Sequence, residues 1–316
     1  MKKLTAIILA LLLLTGAASA LGEVKKNEVV YARLSASGEV KDMYIVNAFE
    51  ADQPEEVTDF GRYDAVTNLT STEPLDYTDG EAKLSLPAGR FYYQGSPQEK
   101  ALPWDIAIRY TLDGKPVEDP QALSGAQGKL EIAMDVKVRE QMAAYAGGMT
   151  LQITMTLDGD TCLNITSDKA TIALAGGNQT IAYVVLPGQS AGFTVTADVR
   201  DFAMPGIQIA GLRMNMDTEQ YQRMSENMLA GNPMAQAVGP MIDNFVKALS
   251  GTASQSFADT RNGSIHSLQF VLMTDEIAAP APAPTPEAEP QDTPREESVL
   301  ALVAQGLGNH EIARRL

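Results

Sequence analysis

Between Leu102 and Val199 apolar and polar residues alternate in run after run, and this period of two restricts the chain to β-structure. Trp104, Ile106, Ile108, Tyr110 and Leu112 alternate with Asp105, Ala107, Arg109 and Thr111. Leu130, Ile132, Met134, Val136 and Val138 alternate with Glu131, Ala133, Asp135 and Lys137. Leu151, Ile153, Met155 and Leu157 repeat the pattern, followed by Ile181, Tyr183 and Val185, then Phe193, Val195, Ala197 and Val199. Successive side chains of a strand point to opposite faces, so each run offers one apolar and one polar face. Such strands bury the apolar face by packing antiparallel sheets face to face. Asp113-Gly114 suits the positive-φ positions of a type I′ hairpin turn, and Asp158-Gly159 reads as a second turn. The expectation is a mainly β protein with an immunoglobulin-like antiparallel β-sandwich over residues 101–216. Cys162 is the single cysteine, so the immunoglobulin disulfide is absent and only the architecture is claimed.

Ahead of the sandwich, residues 21–100 read as an N-terminal β-rich unit. Val29, Tyr31 and Leu34, then Val40 to Val46, make a hairpin about Ser35-Ala36-Ser37-Gly38. The acidic, proline-containing stretch 50–60 reads as loop, and Ala82–Leu86 and Arg90–Tyr93 as strands separated by Pro87-Ala88-Gly89. After Met216 the period changes to that of a helical insert, 217–251. Asp217 with Gln220 forms a capping box, Gly231 a stop, and Asn232-Pro233 a restart. Met234, Val238, Met241, Ile242, Phe245, Val246 and Leu249 form an amphipathic stripe that Gly239-Pro240 kinks. Packing against the sheets is the plain role of this stripe. Its alternative is a soft partner surface of Met224, Met228, Met234, Met241 and Phe245. Residues 252–277 return to the β body through a strand at Ser264–Met273, and 278–292 form a Pro/Ala-rich linker.

The first twenty residues set the compartment. Lys2 and Lys3 precede an apolar run, Leu4 to Leu14, and Gly16-Ala17-Ala18-Ser19-Ala20 supplies an A-x-A cleavage site. This is a secretory signal peptide pattern, 1–20, with scission after Ala20. The run is shorter than the roughly twenty residues a membrane span needs, so membrane contact is expected only transiently, through the signal peptide. The expected location is extracytoplasmic, secreted or associated with the cell envelope. A net charge of −16, made more negative by loss of Lys2 and Lys3, repels nucleic acid and anionic lipid and favours solubility.

Residues that could carry chemistry are few. Gly188-Gln189-Ser190-Ala191-Gly192 matches G-x-S-x-G, but a nucleophile elbow needs a helix after the serine and Phe193–Val199 reads as strand. A triad would also need His266, the one histidine of the body. Asp158-Gly159-Asp160 opens like a calcium loop, yet Cys162 and Leu163 occupy ligand and glycine positions, so a hairpin turn is the better reading. Glu55-Glu56 reads as solvated charge. Asn68, Asn164, Asn178 and Asn262 open acceptor sequons that matter only in a host with that pathway. Cys162 reads as a small buried hydrophobe. The expectation is no catalytic set, no cofactor and no metal site.

Two resemblances complete the reading. Glu28-Val29-Val30-Tyr31-Ala32, Gly38-Glu39-Val40-Lys41 and Tyr44-Ile45-Val46-Asn47 begin a set of matching segments. Leu102-Pro103-Trp104-Asp105-Ile106, Leu112-Asp113-Gly114-Lys115, Thr196–Phe202 and Ser267-Leu268-Gln269-Phe270-Val271 complete it. Through these segments the body, about 24–277, resembles uncharacterised Gram-positive envelope proteins related to phage-infection-protein-like sequences. The resemblance implies a secreted or wall-facing β-domain. The Leu-x-x-Gly heptads common in such proteins are not sustained here.

The tail, 293–316, resembles the start of a LuxR-type helix-turn-helix. Thr293 caps with Glu296 at N3, Leu300 lies on the first helix, Gly306 stops it, and Asn309 can cap the next helix, with Glu311, Ile312 and Ala313. Asp292 and Gly308 depart from that pattern, and the recognition helix that would follow is missing, so the resemblance implies a truncated module that does not bind nucleic acid as it stands. The function expected is a secreted bacterial envelope protein, a non-enzymatic binding or structural module with an unidentified protein or cell-wall partner. The alternatives are a transcription regulator with a truncated LuxR-type domain and a secreted serine hydrolase.

Overall fold

The computed structural model describes residues 24–213 and 254–280. The expected signal peptide, the expected helical insert with Met224, Met228, Met234, Met241 and Phe245, and the tail segment with Thr293, Glu296, Leu300, Gly306, Asn309, Glu311, Ile312 and Ala313 lie outside the described residues. What is described is mainly β.

Nineteen strands appear among the described residues. The first seven are β1 (Val24–Leu34), β2 (Val40–Ala51), β3 (Glu55–Phe60), β4 (Tyr63–Asn68), β5 (Asp76–Thr78), β6 (Glu81–Leu86) and β7 (Gly89–Pro97). Next come β8 (Trp104–Leu112), β9 (Lys115–Val117), β10 (Gly128–Val138), β11 (Met149–Asp158), β12 (Cys162–Ser167) and β13 (Thr171–Ala175). The last six are β14 (Asn178–Val185), β15 (Ala191–Val199), β16 (Gln208–Arg213), β17 (Ser254–Gln255), β18 (Ser264–Ile265) and β19 (Ser267–Thr274).

A nine-stranded sheet runs β13-β14-β11-β16-β19-β1-β2-β7-β4, and a five-stranded sheet runs β12-β15-β10-β8-β9. Their inner faces share one hydrophobic core. Trp104 of β8 meets Phe270 of β19 edge-on at 5.1 Å, and Tyr183 of β14 meets Phe193 of β15 at 4.2 Å, so the two sheets pack as a sandwich. A small sheet, β3-β6-β5, and the pair β17-β18 complete the strands. Segments 24–100 and 101–213, read above as separate units, both contribute strands to the nine-stranded sheet.

The alternation set out above is borne out strand by strand. Ile106, Ile108 and Tyr110, then Leu130, Ile132, Met134 and Val136, then Leu151, Ile153, Met155 and Leu157 are buried. Asp113 and Gly114 both have positive φ, 50° and 76°, in the turn that joins β8 to β9. The hairpin β1–β2 forms as expected, and its turn is pinned to the other sheet: Ile108 N–H donates to Ser37 O at 2.9 Å. Gly38, at φ 98°, presses there so closely that a Cβ would lie 2.4 Å from Ile106 O.

Three expectations are corrected. Stretch 50–60 is not simply loop: Glu55–Phe60 is β3, paired in register with β6, and Glu55-Glu56 sits on that strand. Its acidic composition was outweighed by a tertiary partner. Asp158-Gly159 is not a hairpin turn, because β11 lies in the nine-stranded sheet and β12 in the five-stranded one, so the chain crosses between layers there. Gly188–Gly192 is the same kind of crossing, from β14 to β15. Finally, the sheets are not wholly antiparallel. β1 and β19 pair in parallel, from Asn27↔Ser267 to Leu34↔Thr274. A parallel pair needs a long connection, and nearly the whole body lies between these two strands.

Candidate functional site

Strand parity creates the site. On β1 the residues facing the core are Lys26, Glu28, Val30, Ala32 and Leu34, while Val29 and Tyr31 lie half-buried on the outer face. Two charged side chains therefore enter the interior at one end of a central strand. Lys26 is 9% exposed, Glu28 0%, and Asp59 of β3 only 2%.

Buried charges persist when they are paired and hydrogen-bonded, and these are. Lys26 Nζ lies 2.8 Å from Glu28 Oε1 and 2.6 Å from Asp59 Oδ1. The Tyr93 hydroxyl donates to Asp59 Oδ2 at 2.5 Å. Glu28 also holds the segment that follows β17: the Ser256 hydroxyl donates to Oε1 at 2.5 Å, and the Phe257 and Ala258 N–H groups donate to Oε2 at 2.6 and 3.2 Å. Asn262 grips the free edge of β3. Its Nδ2 donates to Phe60 O at 2.7 Å and its Oδ1 accepts from Phe60 N–H at 2.8 Å, as a neighbouring strand would. That amide is one of the sequon asparagines, here committed to the fold.

Beside the cluster opens a cleft of about 450 Å³, lined among others by Val24, Lys26, Asp59, Phe60, Arg261 and His266. Arg261 lies 4.4 Å over the Phe60 ring and pairs with Asp259 at 3.0 Å. The Arg261 hydrogen bond holds the Asp259 carboxyl below its ordinary range. His266 contributes its backbone N–H to Lys26 O at 2.7 Å.

Burial pushes the Asp59 carboxyl up from its ordinary value of 3.8, against the opposing pull of Lys26. Burial likewise raises the Tyr63 and Tyr93 hydroxyls. A carboxyl raised by folding stabilises the folded state fully below its unfolded value. That contribution is lost as pH rises through the folded value. Asp59→Asn is therefore expected to become progressively more stable relative to the parent chain as pH is raised from about 4 to neutrality. Thermal melting of both proteins across that range checks this, and a difference independent of pH would contradict it.

No protein-family model matches the chain, and no curated protein matches it in sequence. Solved structures similar in outline include mu-homology domains. The Fcho1 Mu homology domain of Danio rerio with bound Eps15 peptide has a TM-score of 0.38 at 9% identity, covering 81% of this chain and 94% of that one. The yeast delta-COP-I mu-homology domain has a TM-score of 0.35 at 9% identity, covering 80% and 95%. The same yeast domain complexed with a Dsl1 WxWxV peptide has 0.34 at 11%, again covering 80% and 95%.

The residues singled out from the sequence fall elsewhere or apart. Ser190 sits in the crossing between β14 and β15, where its Oγ accepts from Val138 N–H at 3.1 Å, and strand, not helix, follows it. His266 lies between β18 and β19, beside the cleft. Asp158 Oδ1 accepts from Asp160 N–H at 2.8 Å, closing its own turn. Among the described residues no group of three or more His, Cys, Asp or Glu is placed to hold a metal ion. Cys162 is fully buried, and burial pushes its thiol up, which suits a packing role. The residues the sequence reading missed are Lys26, Glu28, Asp59 and Ser256. Their signal was parity: Lys26 and Glu28 share the face of Val30, Ala32 and Leu34.

Proposed function

We propose that this chain is a secreted bacterial envelope protein, a non-enzymatic module that binds a protein or cell-wall partner through the cleft beside Lys26 and Asp59. The observation that carries this reading is the committed floor of the cleft. Lys26, Glu28 and Asp59 direct their hydrogen bonds at one another, at the Tyr93 and Ser256 hydroxyls and at the 257–258 backbone. Such a floor offers fixed charge and shape for recognition, while a general acid or base must have a proton site free to serve a substrate. The signal peptide pattern and the likeness of residues 24–277 to envelope proteins support the compartment. In this reading the sandwich is an immunoglobulin-like scaffold whose strands hold the cleft rigid.

Cell fractionation with intact-mass measurement tests the compartment; the product is expected outside the cytoplasm and beginning at Leu21. Sedimentation with isolated cell envelopes tests the cleft. Thr58 is exposed and lines it, so Thr58→Trp is expected to abolish co-sedimentation without lowering the melting temperature. A cytoplasmic full-length product, or envelope binding untouched by Thr58→Trp, would overturn the proposal.

A further inference from the structure

Residues 170–197 contain no Asp, Glu, Lys or Arg, in a chain where those four types make up 20% of residues. This stretch builds β13, β14 and most of β15. The first two form a hairpin across Gly176-Gly177, both at positive φ, 59° and 91°, the turn whose twist matches that of paired strands. β13 is also an edge of the nine-stranded sheet, bonded to β14 alone. The residues flanking a two-residue turn exchange hydrogen bonds with each other. By alternation, Thr171, Ala173 and Ala175 direct their backbone groups at β14, and Ile172 and Leu174 direct theirs outward.

Exposed edges are ordinarily blunted by charge, proline or a bulge. Thr171–Ala175 has no charge and no proline, and it pairs with β14 without a register shift. Apolar surface gathers at the same hairpin. Leu174 is 77% exposed and Ile172 40%, both on one face of β13.

We propose that this edge is a homodimer interface, in which β13 of two copies pair antiparallel about a twofold axis through Ala173. Charge selects a second copy as the occupant. Two chains of net charge −16 repel wherever their surfaces carry that charge, and the uncharged hairpin is where they approach with least Coulomb opposition. Register selects it again. Pairing about Ala173 sets Ile172 opposite Leu174 of the second copy, and these are the residues whose backbone groups point outward. Both Ile–Leu pairs then cover each other on one face of the sheet. The interface is isologous and closes on itself, and the two nine-stranded sheets become one continuous sheet. None of the cleft residues takes part, so this inference stands independently of the proposed function.

Sedimentation velocity of the purified chain over a dilution series tests the proposal, with a dimer expected at the concentrated end. Leu174→Lys alters an exposed side chain and is expected to stay monomeric at every concentration, with the melting temperature of the parent chain at monomeric dilution. Cysteine scanning reads the axis directly. Two copies of residue 173 face each other as a non-hydrogen-bonded pair, with Cα atoms about 4.5 Å apart, within disulfide range. Ala173→Cys is expected to give an oxidised, covalent dimer. Thr171→Cys is not, because residue 175 stands opposite it. Native Cys162 is buried and gives no background. A monomeric parent chain throughout the series, a dimeric Leu174→Lys, or equal cross-linking at 171 and 173 would each overturn the proposal.

Discussion

Replacing Lys26 with methionine is expected to destabilise the folded chain by about 3–5 kcal/mol at neutral pH, the range seen when one partner of a buried ion pair is removed. The methylene stem is kept, so the effect comes from charge. Glu28, 0% exposed, and Asp59, 2% exposed, would be left as two buried carboxylates without their cation. Burial already pushes the Asp59 carboxyl up, so lowering the pH lets it take a proton and the deficit should shrink toward acid. Adding Asp59→Asn should recover part of the loss, since a neutral amide can stay buried where an unpaired carboxylate cannot. Chemical denaturation of the three proteins at two pH values is the measurement. A loss below about 1 kcal/mol, the size of an ordinary surface change, would mean the cluster is not held as charged partners. The surface pairs Arg109–Asp135 and Arg139–Asp105 have equally short contacts of 2.6 Å. Solvent screens them, and their removal should matter little.

Phe270→Ala is expected to cost a similar amount, about 3–5 kcal/mol, from lost burial and the cavity left behind. Phe270 is fully buried on β19 and meets Trp104 and Phe257 edge-on, each at 5.1 Å. Through Trp104 it joins the two sheets, and through Phe257 it touches the segment that Glu28 anchors. Val271 is the next residue along the strand, faces outward and is 38% exposed. Val271→Ala is therefore the internal control and should change the denaturation midpoint far less. Equal effects of the two substitutions would contradict the packing described.

Much of the fold was legible from residue order because parity along a strand is a local property. The inward residues of β8, β10, β11, β14 and β15 follow from alternation alone, and the Asp113-Gly114 turn from the conformational tolerance of its residues. Strand partnership is not local. Asp158-Gly159 has the composition of a hairpin turn, but the partners of β11 and β12 lie in different sheets. The site was less legible for a related reason. Lys26 and Glu28 look solvated until their parity with Val30 is noticed. Asp59 lies in an acidic stretch, and its buried partners are Lys26 and Tyr93, 33 and 34 residues away. Ser256 reaches Glu28 across 228 residues, a separation that no turn, cap or periodicity encodes.

The parallel pairing of β1 with β19 has a kinetic consequence. These strands lie side by side in the interior of the nine-stranded sheet, yet Asn27 meets Ser267 across 240 residues of chain. Until residues 267–274 are available, β1 and β16 each lack the neighbour between them, and the sheet is two ribbons with open inner margins. Contacts of such long sequence separation are slow to form, because the chain entropy of closing the loop is lost before the contact stabilises anything. A polypeptide emerging from its N-terminal end therefore leaves this sheet unfinished at its centre until β19 arrives. That order of events keeps the two ribbons pliable until residues 267–274 are made, and the arrival of β19 joins both at once.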